Sequence, residues 1–167
     1  MFELKPLSSS AIPAALAKAE RYRLLNEPEE AESICEDILA AEPHNGDARV
    51  TLLLALTDQF TSQSSGLVAR AQALAATIES DYERAYYNGL ISERSARAVL
   101  KRGGPGCSLT AGDWLRDAMA WYERADTLRP PDNDDVRLRW NACVRLFGSH
   151  PQLHVTDEER AMPTMLE

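Results

Sequence analysis

The chain has 167 residues, enough for one sizeable hydrophobic core, with no apolar run approaching the 18 or more residues of a membrane span. Its formal charge of −8 and isoelectric point near 4.9 argue against a nucleic-acid-binding domain. Ala and Leu far outnumber Val and Ile, which favours helix over strand.

Breakers divide the sequence into helix-sized pieces. The first runs from Ala11 to Asn26, with Ile12, Leu16, Ala19 and Tyr22 at helical spacing and Pro13 tolerated in the first turn. The second opens at Glu27-Pro28, carries the stripe Ala31, Ile34, Cys35, Ile38, Leu39, and is closed by Pro43. A third is predicted from Gly46 to Phe60, followed by a polar loop over Thr61–Ser65, and a fourth from Gly66 to Glu79. The fifth, Tyr82 to Arg102, is long and stops at Gly103-Gly104-Pro105-Gly106. The loop GGPGCSLTAG should then lead to a sixth helix from Ala111 to Leu128, ended by Pro130-Pro131. The seventh, Asn133 to Phe147, places Val136, Trp140, Cys143 and Phe147 on one face. The expected organisation is therefore an extended segment 1–10, a helical domain 11–147 and an extended, polar tail 148–167.

Two fragments share one spacing: Ala31-x3-Cys35-x2-Ile38-x4-Pro43 and Ala118-x3-Tyr122-x2-Ala125-x4-Pro130. Small residues let two helices approach, an apolar residue fills the contact, and proline stops the helix so that the next folds back. The pattern resembles the second helix of a tetratricopeptide repeat, with Cys35 in place of the usual aromatic. Ala19 with Tyr22, and Gly89 with Tyr86 and Tyr87, fit the preceding helix, and Trp140 resembles a first-helix position of a further, unpaired repeat. The fragments lie further apart than two repeats of about 34 residues would put them. The excess is expected in the long fifth helix and the loop after it. The resemblance spans about residues 11–147 and implies an all-α fold: some seven helices in antiparallel pairs, stacked as a short right-handed superhelix.

The search for catalytic chemistry yields none. His44 follows Pro43 at a turn. His150 and His154 are four apart, but Pro151 lies between them, and no metal site is expected. The GGPG run lacks the Gly-Lys-Ser/Thr ending of a phosphate loop. Cys107 has no histidine nearby in sequence, and Cys35 and Cys143 fall on apolar faces. The expectation is a non-enzyme without cofactors. Three scattered cysteines suit reduced thiols, and the opening MFELKPLSSS does not resemble a secretory signal, so a cytoplasmic location is expected. Compact size and arginine dominance suggest a bacterial origin.

Charge is segregated. Residues 27–42 hold seven acids and no base, whereas residues 84–102 hold Arg84, Arg94, Arg97, Lys101 and Arg102 against Glu93 alone. In tetratricopeptide arrays the first helix of each pair lines a concave groove. The resemblance thus implies a groove of Tyr86, Leu90, Glu93, Arg94, Arg97, Arg137, Asn141 and Arg145, with Arg23 and Asp58 at the opposite end. Arg137 with Asn141 resembles the pair that holds a peptide carboxylate in some members of the family. The alternative is that these arginines are solvated or form ion pairs with neighbouring helices. The implied function is an adaptor that binds a protein or peptide, acidic in character, without nucleic acid or membrane. A small secretion-type chaperone and an accessory subunit of an enzyme are the rival expectations. The unpaired final helix, with Trp140 and Phe147, offers a surface for a homodimer. The acidic tail is a candidate to dock in a basic groove of its own or a neighbouring chain.

Overall fold

The structure, a computed structural model, describes residues 2–62 and 66–154. It is all-α, with seven α helices and, among the described residues, no strand. Two compact units divide the chain, Met1–Ile78 and Glu79–Glu167.

The first unit holds α1 (Ile12–Leu24), α2 (Pro28–Ala41), α3 (Gly46–Asp58) and α4 (Leu67–Ala76), after a 3-10 turn at Ser9–Ala11. Each helix packs on the next, and α1 also meets α3. Asn26 takes a left-handed conformation (φ 61°) after α1, and Pro28 then starts α2 in the first turn, where a missing N–H costs nothing. Ala19, Ala31, Cys35 and Ile38 are fully buried, Tyr22 is half-buried and Pro43 is exposed. The side chain of Asn45 caps α3 by accepting from the Ala48 N–H at 2.9 Å. Arg70 of α4 reaches the acidic α2, pairing with Glu32 at 2.6 Å and Glu36 at 3.0 Å.

The second unit is built on a hairpin of two 22-residue helices, α5 (Asp81–Arg102) and α6 (Cys107–Leu128), with α7 (Asp135–Ser149) packed mainly on α6. Only Gly103–Gly106 form the turn. Gly103, Gly104 and Gly106 all have φ between 67° and 103°, a region that disfavours other residues. The sequence-based start of α6 at Ala111 is thus four residues late: Cys107 is the first helical residue, because Ser and Thr are tolerated in a first turn. The extra length expected in the fifth helix and the loop after it is found in two helices of 22 residues each, and no long loop follows α5.

The region after Phe147 also departs from expectation. Gly148 and Ser149 belong to α7, and Pro151–His154 form a 3-10 turn that folds back onto α6. Leu153 is fully buried, and its carbonyl accepts from Arg116 at 3.0 Å. Gly112 makes this approach feasible, since a Cβ there would lie 2.6 Å from the Leu153 oxygen. Residues 155–167, to which the expectation of an extended tail also applied, lie outside the described residues.

Candidate binding surface

The stripe of α5 that faces the core of the second unit runs through Tyr82, Tyr86, Gly89, Glu93 and Ala96, three or four residues apart. Gly89 is set against the ring of Tyr122, so the two helices close on each other at a glycine and an aromatic. Ala118, Tyr122 and Ala125 of α6 are all fully buried. The tyrosines form a ladder. The ring centroid of Tyr86 lies 6.1 Å from that of Tyr82, 5.3 Å from Tyr87 and 6.2 Å from Tyr122.

Within this apolar stripe sits a carboxylate. Glu93 is 1% exposed, and burial of an unpaired ion would cost several kcal/mol. Two donors and a nearby cation compensate. The Tyr122 hydroxyl donates to Oε2 at 2.8 Å, Arg97 donates from Nε to Oε1 at 3.0 Å, and Arg139 of α7 comes within 3.8 Å of the same oxygen. Burial pulls the Arg139 guanidinium down, but a hydrogen bond with Tyr86 and the charge of Glu93 outweigh it and hold it above the ordinary arginine range. Both arginines remain open to water, with side chains 46% and 39% exposed for Arg97 and Arg139. Each guanidinium carries five N–H donors, more than Glu93 and Tyr86 consume. The arrangement presents two forked cations, locked in place by a buried anion and flanked by tyrosine rings.

The groove expected from the sequence is redrawn accordingly. Leu90 and Glu93 are buried and serve packing; Tyr86 and Arg94 are half-buried, and Arg97 is exposed. Arg137 is held by Asp126 of α6 at 2.9 Å and by Asp134 at 3.6 Å, the ion-pair alternative. The hydrogen bond from Arg137 keeps the Asp126 carboxyl below the usual range. Asn141 and Arg145 share its exposed side of α7, whereas Trp140 is half-buried against the core. In the first unit, Arg23 and Asp58 pair with each other at 2.8 Å. The residue missed by sequence reasoning is Arg139. Its signal was indirect: a lone acid among five bases, placed on the apolar stripe of α5, needs a cation from a neighbouring helix.

No group of three or more His, Cys, Asp or Glu among the described residues is arranged to hold a metal ion. Cys107 is half-buried at the start of α6, with Ser108 as its neighbour at 4.0 Å. Cys143 lies buried beside Glu93, Arg97 and Arg139, and burial, aided by the charge of Glu93, pushes its thiol up to about 12. Burial does the same to Cys35 in the first unit, also to about 12. Tyr122 is raised above the normal phenol range, by burial first and then by Glu93.

These shifts give a pH dependence. A group whose folded value exceeds its unfolded value stabilises fully below the unfolded value and loses that contribution as pH rises. The thiols rise from 9.0, so the loss falls between pH 9 and about 12, at about 1.4 kcal/mol per pH unit for each thiol. Between pH 9 and 10.5 each thiol removes about 1.6 kcal/mol of stability, because the unfolded thiol is only half ionised at pH 9. Urea unfolding followed by circular dichroism at both pH values should show this fall. The Cys35→Ala/Cys143→Ala variant should show a clearly flatter one; an unchanged slope would contradict the assignment.

No family model, curated protein or solved structure matches the chain.

Proposed function

We propose that this protein is a non-catalytic adaptor of the tetratricopeptide type, which binds an acidic segment of a partner protein across α5 and α7. The observation that carries this reading is the anchoring of two water-accessible arginines, exposed Arg97 and half-buried Arg139, on the buried Glu93. Two cations share one internal carboxylate, so the local charge stays positive and the remaining donors face water. Preset forks of this kind bind an anion without first ordering long side chains. The close packing of Gly89 on Tyr122, and the burial of Ala31 and Cys35 in α2 and of Ala118, Tyr122 and Ala125 in α6, support the repeat reading. Unpaired, buried Cys35 and Cys143 support a reducing, cytoplasmic setting.

The test is capture from an extract of the source organism on the immobilised full chain, compared with Arg97→Lys/Arg139→Lys. Lysine keeps the charge that Glu93 needs but lacks the planar fork. The expected result is a discrete partner released by raised salt and held at least about tenfold more weakly by the double variant. Equal retention by both proteins, or no retained partner, would overturn the reading.

A further inference from the structure

In the first unit, the α1–α2 hairpin is covered on one side by α3 and α4. On that side Arg23 of α1 pairs with Asp58 of α3, and Glu32 and Glu36 of α2 pair with Arg70 of α4. On the nearly opposite side, by helical rotation, two stripes share the spacing i, i+4, i+7, i+11. They are Ala14, Lys18, Arg21 and Leu25 on α1, and Glu30, Ile34, Asp37 and Ala41 on α2. With Ala17 and Tyr22, the α1 stripe lines an open, mainly apolar groove of about 530 Å³, where Leu25 is 60% exposed. We propose that the occupant of this groove is a second copy of the chain, whose α2 lies along α1 about a two-fold axis. The inference does not depend on the role given to Arg97 and Arg139.

Charge selects this occupant. Lys18 and Arg21 are exposed, no acid shares their stripe, and neither makes an ion pair with a described residue. The Lys18 ammonium lies 5.7 Å from the ring centroid of Tyr22 in the same groove. Glu30 and Asp37 are likewise without an ion pair, and α2 contains no base. A two-fold contact requires a surface complementary to itself, and a cationic stripe beside an anionic one meets that requirement. The heights agree as well. Only Leu25, Asn26 and Glu27 join the two helices, which therefore run antiparallel. Mirrored about Asn26, Arg21 lies within about 2 Å of the height of Glu30, and Lys18 within about 5 Å of that of Asp37. A two-fold axis along the hairpin lays α1 of one copy over α2 of the other and keeps these heights. Arg21 then meets Glu30 of the second copy and Lys18 meets its Asp37, each pair formed twice. Laying α1 over α1 would instead set cation against cation. The alanines at 14, 17 and 41 let the backbones approach. The face is two helices wide and about 20 Å long, small for a specific interface, so a Kd on the order of 10 μM is expected.

Sedimentation equilibrium of the full chain reads the association. At about 0.15 M salt, repulsion between chains of charge −8 is screened beyond about 8 Å, while contact pairs persist. The mass should rise from monomer towards dimer between about 1 and 100 μM. Lys18→Glu/Arg21→Glu sets acid against acid, and Glu30→Lys/Asp37→Lys sets base against base. Each variant should weaken the dimer at least about tenfold and leave the circular dichroism unchanged, since none of the four side chains holds an ion pair within the chain. An equimolar mixture of the two variants restores every pair with its signs exchanged, and should associate about as tightly as the parent. A chain that stays monomeric at about 100 μM would overturn the proposal. So would a dimer that survives in both variants, a mass beyond that of a dimer, or a mixture that associates no better than its components.

Discussion

Gly89→Ala should destabilise the second unit by about 1–2 kcal/mol, although alanine is the better helix former. The intrinsic gain in helix propensity is about 1 kcal/mol. Against it, a Cβ at position 89 would lie 2.5 Å and 2.6 Å from two ring carbons of Tyr122. That ring cannot swing aside, since it is fully buried and its hydroxyl is fastened to Glu93. Overpacking a rigid contact costs more than the propensity returns. Gly148→Ala is the matching control: no atom lies within 4 Å of a Cβ there, and the variant should be neutral or slightly stabilised. All three tryptophans, Trp114, Trp121 and Trp140, lie in the second unit, so urea unfolding monitored by their fluorescence reads the effect where it arises. A Gly89→Ala variant as stable as the parent would show that α5 and α6 are further apart than described.

The buried carboxylate carries the other large effect. Glu93→Ala removes the shared acceptor of Tyr122 and Arg97 and the countercharge of Arg139, and leaves a buried phenol hydroxyl without a partner. Breaking a fully buried ion pair costs about 3–5 kcal/mol, but both arginines here keep contact with water. The expected loss is therefore smaller, about 2–3 kcal/mol. Tyr122→Phe, which deletes only the hydroxyl, should cost about 1–2 kcal/mol. Because the two groups share one hydrogen bond, the double variant should lose clearly less than the sum of the single losses. Strict additivity in this cycle would show that the Tyr122–Glu93 contact does not exist in solution.

The helices were legible in the sequence because their signals are local. Proline at the start of α2, glycines after α5 and the apolar spacing in α2 and α7 each act within a few residues. The pairing of charges was less legible, because it depends on the rotation of one helix against another. Arg137 and Arg139 are two positions apart, hence on nearly opposite sides of α7. One faces Asp126, and the other faces Glu93. Nothing in the spacing of Arg137, Asn141 and Arg145 reveals that this stripe is the outer one. The Leu153 turn escaped for a similar reason. A short polar stretch with proline reads as extended chain, and only Gly112, 41 positions earlier, makes room for it on α6.

The four-residue turn at Gly103–Gly106 has a bearing on how the second unit is assembled. Closing so short a loop carries a small entropic cost, so the contacts between α5 and α6 are the least expensive long contacts the unit can make. Glu93, Arg97 and Tyr122 all belong to that hairpin, whereas Arg139 belongs to α7. The carboxylate therefore has a hydroxyl and one cation within its own hairpin. Arg139 can dock onto a charge already sheltered, and the chain need not bury a naked anion on the way to its native state.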